Sequence, residues 1–140
     1  MKNLFFLFIL LVFSGCSGLA IKEEITKNYY FIAVDIREDC ALSYHEPSDA
    51  SNYGTVIEAT VFAAGYNDKY MIVKQHPRTF PNQPDKKITN YYILPLKKEM
   101  NWRTKNGLIG PLTQEEFTEK RKELNISDSL TFTKVIEELE

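Results

Sequence analysis

The stretch Thr55–His76, TVIEATVFAAGYNDKYMIVKQH, decides the fold class. From Val56 to Ala64 its residues alternate. Ile57, Ala59, Val61 and Ala63 form one set, and Val56, Glu58, Thr60 and Phe62 form the other. Successive strand side chains point to opposite faces, so the wholly apolar first set is expected on a core. Gly65-Tyr66-Asn67-Asp68-Lys69 then carries turn chemistry: glycine and asparagine tolerate positive φ, and aspartate bonds its own backbone. Tyr70–His76 (YMIVKQH) returns as a strand. Two such runs joined by a short glycine-bearing loop are expected to form a β-hairpin.

Upstream, Tyr29–Ile36 (YYFIAVDI) is aromatic and β-branched, as strands are, with Tyr30, Ile32, Val34 and Ile36 on one face. Cys40–His45 is a short strand able to pair with it, and Glu46–Gly54 is a loop by its composition. Downstream, Pro77–Lys87 (PRTFPNQPDKK) has three prolines and no periodicity, so it reads as a long exposed loop. Ile88–Leu96 is the next strand, ended by Pro95, which cannot donate to a ladder. Polar residues follow around the single tryptophan, Trp102, and Gly107-Leu108-Ile109 has room for one more short strand.

At GPLTQEEF the pattern changes. Thr113 and Glu116 have capping-box spacing, and Leu112 and Phe117 occupy the two positions of a hydrophobic staple. Glu115 and Glu116 suit the positive end of a helix dipole. A helix is expected over Gln114–Leu124, with Phe117, Arg121 and Leu124 on one side, a Glu116–Lys120 pair, and Asn125 as the stop. Phe132, Val135, Ile136 and Leu139 have the spacing of a second helix. Strands first and helices last predict an α+β fold: an antiparallel β-meander of five to six strands with one or two C-terminal helices packed on one face.

The N-terminus gives an address. Lys2 precedes an unbroken apolar run, Leu4–Phe13, followed by the small residues Ser14 and Gly15. That is the layout of a secretory signal, and the run is about half the ~20 residues a spanning helix needs. Phe13-Ser14-Gly15-Cys16 resembles the lipobox of bacterial lipoproteins. The resemblance implies a diacylglycerol on the Cys16 sulfur, cleavage before it, and often acylation of the new amino terminus. Residues 1–15 are then a signal peptide, 16–27 a lipidated tether and 28–140 a single globular domain. Phe13 stands where that family usually has leucine, and an ordinary cut after Gly18-Leu19-Ala20 is the alternative. Two or three acyl chains hold a protein on a bilayer, so the expected location is the cell envelope and the first expected partner the membrane. Ser17, in place of aspartate, implies the outer membrane if the organism is Gram-negative.

Seventeen basic and nineteen acidic residues leave a charge near zero, and no basic run is long enough for a nucleic-acid arm. With Cys16 lipidated, Cys40 has no internal disulfide partner and reads as a small buried hydrophobe. His45 and His76 have no ligand spacing, so no metal is expected. No phosphate loop or calcium loop is present, and no cofactor is implied. A pairing of Cys40 with His45 or His76 gives a thiol hydrolase as an unfavoured alternative. Glu58 and Asp68, which a glycosidase pair would need close together, sit at opposite ends of one hairpin arm and read as a solvated strand position and a turn residue.

The run Gly65–Lys74, with Tyr92-Ile93 downstream and Gly110-Pro111-Leu112-Thr113 before a helix bearing Phe117, resembles a family of small bacterial lipoproteins, domain of unknown function 3997. The likeness covers about Val56–Leu124 and implies no catalytic residue, ligand or partner. The expected function is therefore a non-enzymatic, lipid-anchored binding module with an envelope protein as partner. Tyr66, Asp68, Tyr70, Tyr91 and Tyr92 are the candidate interaction surface, since tyrosine offers large area with a polar tip. An inhibitor of a secreted hydrolase such as lysozyme is the second reading.

Overall fold

The computed structural model describes residues 18–49 and 51–140. Cys16 and the signal segment lie outside the described residues. The deciding stretch does not form one long strand followed by its return. It bends at Glu58–Thr60 and changes sheets there. On one side of the bend lie β1 (Ile21–Thr26), β2 (Tyr29–Ala33), β3 (Ala41–His45) and β4 (Tyr53–Ile57), an antiparallel meander in sequence order. On the other lie β5 (Val61–Tyr66), β6 (Tyr70–Gln75), β7 (Asn90–Pro95), β8 (Ile109–Leu112) and β9 (Lys134–Val135), in the order β8-β7-β6-β5-β9.

Chains that switch sheets at a bend make the corners of packed β-sheets. This corner is stitched to both. Thr60 and His76 exchange backbone hydrogen bonds of 3.0 and 2.9 Å, and the Val61 amide donates to the Cys40 carbonyl at 2.7 Å. The buried Gln75 amide donates to the Glu58 carbonyl at 2.9 Å, and its oxygen accepts from Asn90 Nδ2 at 2.9 Å. The bend explains why both alternating sets contribute to the core: Val56, Ile57, Val61, Phe62 and Ala63 are all buried.

The molecule has three layers. Phe31, Leu42 and Val56 of the first sheet pack with Val61, Met71, Val73 and Leu94 of the second. The alternate residues Ile72 and Ile93 face away from that core. They are covered by Phe117 of the helix α1 (Gln114–Glu123) and by Ile126 and Leu130. This is a mainly β protein with one α-helix among the described residues, which corrects the expected single meander of five to six strands under one or two helices.

The helix forms where its local signals stand. Thr113 Oγ1 accepts from the Glu116 amide at 3.2 Å, and Glu116 Oε2 accepts from the Thr113 amide at 2.8 Å, a complete capping box. Asn125 ends it at φ 53°, and the Asn125→Lys122 and Ile126→Arg121 backbone bonds close a Schellman motif. Because the cap occupies the Glu116 carboxylate, Lys120 pairs with Glu123 at 2.6 Å and not with Glu116.

Other expectations are overturned. The second helix is absent from the described residues: Lys134 and Val135 pair with Ala64 and Ala63 as β9, followed by a 3₁₀ turn at Glu137–Leu139. The open edge of β5 supplies hydrogen-bond partners that outweigh the helical spacing. The expected tether over 16–27 gives way to strand from Ile21 onward, with Ile21 and Ile25 buried. In β2 the buried face is Tyr29, Phe31 and Ala33, while Val34 and Ile36 lie beyond the strand end and are exposed. The glycine expected in the hairpin turn, Gly65, lies inside β5, where a Cβ would sit 1.8 Å from the Thr131 carbonyl oxygen.

Topology gives the molecule two ends. The chain enters β1 at Ile21, which pairs with Ala33, and the corner at Glu58–Thr60 and the Pro77–Lys87 loop lie at this entry end. Six residues of β1 lead about 20 Å to the turn end. There stand the β1–β2 turn, the β5–β6 turn, the exit of β7 and the end of α1.

Candidate functional site

Several turns meet at the turn end and frame a cleft. Lys27 and Asn28 join β1 to β2 with φ of 46° and 70°, the two successive positive values of a tight hairpin turn. Asn67 joins β5 to β6: its Oδ1 accepts from the Lys69 and Tyr70 amides at 2.8 and 2.9 Å. The Leu96 amide donates to the Lys69 carbonyl at 2.8 Å, tying the exit of β7 to that turn.

The main cleft is open and about 580 Å³ in volume, with Asp68, Lys69, Tyr70, Pro95, Lys97 and Ile126 among its walls. A smaller hollow of about 200 Å³ shares Lys97 with it, and Lys27, Tyr29, Tyr44, Lys98 and Glu99 are among its walls. Lys69, Lys97 and Lys98 have no ion-pair partner among the described residues. The Tyr29 side chain is 2% exposed, and its hydroxyl has no hydrogen-bond partner among the described residues. Burial first, and the neighbouring Tyr44 second, raise the Tyr29 pKa, so the hydroxyl stays a proton donor. A buried donor without an acceptor is costly, and Tyr29 is one of the residues that line the smaller hollow.

The five residues expected to form one surface are dispersed. Asp68 and Tyr70 line the cleft. Tyr66 is exposed at the end of β5. Tyr91 lies under the helix, its ring stacked on Phe117 at 4.8 Å. Tyr92 points the other way into the core between the sheets, its hydroxyl 3.4 Å from Gln75 Oε1. Adjacent residues in a strand face opposite sides, so Tyr91 and Tyr92 belong to different layers.

Cys40 is fully buried, and burial pushes its thiol from an ordinary 9.0 up to about 12. It packs as a hydrophobe in the core between the sheets. His45 and His76 sit at opposite ends of the molecule. His76 stacks on Phe62 at 4.2 Å and bonds the Ile88 carbonyl through Nδ1 at 2.7 Å. No cluster of three or more metal-ligating side chains occurs among the described residues. Glu58 and Asp68 are likewise at opposite ends.

Sequence reasoning missed two features. Tyr29, Lys27, Lys97 and Lys98 were not legible as neighbours, because the strand preceding Lys27-Asn28 was not recognised and its turn therefore had no place. The outer face of the first sheet carries Tyr30, His45 and Tyr53. The Tyr53 ring lies 5.3 and 4.7 Å from the rings of Tyr30 and His45, and Lys22 Nζ is 5.0 Å above it. Their alternation with the buried Tyr29, Tyr44 and Gly54 was the available signal.

The fold and the cleft define a class: a small antiparallel β-sandwich with, among the described residues, one helix on its outer face and an open cleft at one end whose walls include Lys69, Lys97 and Asp68. The chain belongs to the family described as Protein of unknown function (DUF3997), which matches residues 21–136. That match begins at the first residue of β1 and ends one residue past β9, so it spans both sheets. No significant match was found among curated proteins or among solved structures.

Proposed function

We propose that the protein is a membrane-anchored, extracytoplasmic, non-catalytic binding module that presents its turn end to an acidic segment of an envelope protein. The observation that carries this reading is the gathering of Lys27, Lys69, Lys97 and Lys98 around the two hollows of the turn end, where they outnumber Asp68 and Glu99. A carboxylate supplies the charge opposite to these lysines. The sequence supports the anchoring half through the apolar run Leu4–Phe13 and the lipobox-like residues before Cys16. The chain enters the fold about 20 Å from the cleft, so an anchored molecule holds the cleft away from the lipid.

Titrating the full chain with a glutamate-rich peptide, followed by NMR, tests the binding half. Amide shifts are expected at Lys27–Tyr29, Asp68–Tyr70 and Lys97–Glu99, weakening as salt is raised. Lys97→Glu is expected to weaken binding while leaving stability nearly unchanged, since Lys97 is exposed and has no ion-pair partner among the described residues. Shifts confined to other surfaces, or none, overturn the assignment of the cleft. Mass spectrometry of the native product tests the anchoring half: an unmodified Cys16 thiol removes it.

A further inference from the structure

Among the described residues, the large apolar side chains that stand exposed are unevenly placed. Leu19, Val34, Ile36, Phe80 and Ile88 all belong to the entry end, and only Tyr66 and Val135 lie elsewhere. Single exposed apolar side chains are ordinary on any protein, whereas five gathered at one end form a patch.

The patch is built on an ordered loop. Arg78 pairs with Asp39, tying the Pro77–Lys87 loop to the connection after β2. Arg78 Nε donates to the Asn82 carbonyl at 2.8 Å, and the Asn82 amide donates to Thr79 at 2.8 Å. The Asp85 amide closes the loop onto Pro77 at 2.9 Å, and Lys86 Nζ holds the Glu138 and Glu140 carbonyls at 3.1 and 2.9 Å. Phe80 and Pro81 sit at the tip of this framework, with Phe80 81% exposed. Val34 stands where the chain enters: the Ala20 amide donates to its carbonyl at 3.3 Å.

We propose that the entry end lies against a lipid bilayer, with Phe80 seated at the boundary of headgroups and acyl chains and Leu19, Val34, Ile36 and Ile88 around it. This rests on the anchoring reading given above. Cys16 and Ala20 are four residue steps apart, which is at most about 14 Å of chain. A lipid on Cys16 therefore keeps this end, and no other, within reach of the membrane. The contact is apolar and not electrostatic. Arg37 and Arg78 are paired with Glu138 and Asp39, and Lys86 and Lys87, which have no ion pair, are outnumbered by Asp35, Glu38, Asp85 and Glu137, which have none either among the described residues. Anionic lipid is therefore expected to add nothing.

The test uses the full chain, extracted from membranes and reconstituted into phosphatidylcholine vesicles with brominated acyl chains. The native protein carries one tryptophan, Trp102, packed on Gly54 at the turn end, and its emission is expected to be unquenched. Phe80→Trp is expected to add a blue-shifted component that bromine quenches, equally in vesicles with and without phosphatidylglycerol. Quenching in protein that floats with vesicles supports the proposal. Protein that floats but whose added component is unquenched overturns it and leaves the anchor standing. Protein that does not float overturns the anchor, and this proposal with it.

Discussion

The first sheet buries one face and leaves the other in water, whereas the second buries both. Tyr30, His45 and Tyr53 stand on the solvent face of the first. The equivalent outward positions of the second, Ile72 and Ile93, are fully buried under Phe117, Ile126 and Leu130. The composition follows the environment. YMIVK and YYILP read as near-continuous apolar runs, as two-sided burial requires, while IKEEIT and YGTVI interleave charged, polar or small residues. The second sheet is the mechanical centre, and the first has a face to spare.

That contrast predicts unequal responses to the same truncation. Ile93→Ala removes a side chain from between the sheet and the helix, and is expected to cost about 2–5 kcal/mol in urea unfolding. Tyr53→Ala, on the open face of the first sheet, is expected to cost about 1 kcal/mol or less. Equal losses would show that the outer face of the first sheet is also structural.

The corner between the sheets is the next strongest point. Gln75 accepts from Asn90 Nδ2 and lies near the Tyr92 hydroxyl while donating to Glu58, so three elements meet at one buried amide. Gln75→Leu keeps the volume and orphans the Glu58 carbonyl and the Asn90 amide. A loss of about 2 kcal/mol is expected, with backbone hydrogen exchange rising at Glu58–Val61 before the centre of either sheet.

The core between the sheets has a pH signature. The Cys40 pKa is raised from 9.0 to about 12 in the folded state. Unfolded chains therefore lose this proton first, and stability is fully present below pH 9 and falls as pH rises toward 12. At pH 10 the expected loss is about 1.4 kcal/mol from Cys40 alone. Tyr29 shifts in the same direction and adds to the loss at higher pH. Cys40→Ala is expected to remove the first part of that decline; an unchanged pH profile would place the thiol in contact with solvent.

Legibility followed the range of the forces. The helix was readable to within one residue because Thr113, Glu116 and Asn125 act within a turn of its ends. The Asn67 turn was readable for the same reason. The corner was not, because Val56–Ala64 alternates whether or not it bends, and the partners that fix the bend, Cys40 and His76, are distant in sequence. β9 was hidden by a helical spacing and by a partner strand about seventy residues away. Of the expected surface, Asp68 and Tyr70 reach the cleft because one turn carries both. Tyr91 and Tyr92 could have been separated by strand periodicity alone, since neighbours cannot share a face.

The helix cap offers the smallest and most local perturbation of the comparison. α1 makes the second sheet two-sided, and it is held by Phe117 packing and by its N-terminal box. Thr113→Ala removes the hydroxyl that accepts from the Glu116 amide and is expected to cost about 1 kcal/mol. Phe117 still packs on Tyr91, so the helix loosens without detaching. Exchange should therefore rise in the first turn of α1, and slightly at Tyr91 and Ile93 beneath it, while β1–β4 stay as they were. Should exchange rise across both sheets together, the layers unfold as one cooperative unit, and the second sheet's extra cover stabilises the whole molecule and not that sheet alone.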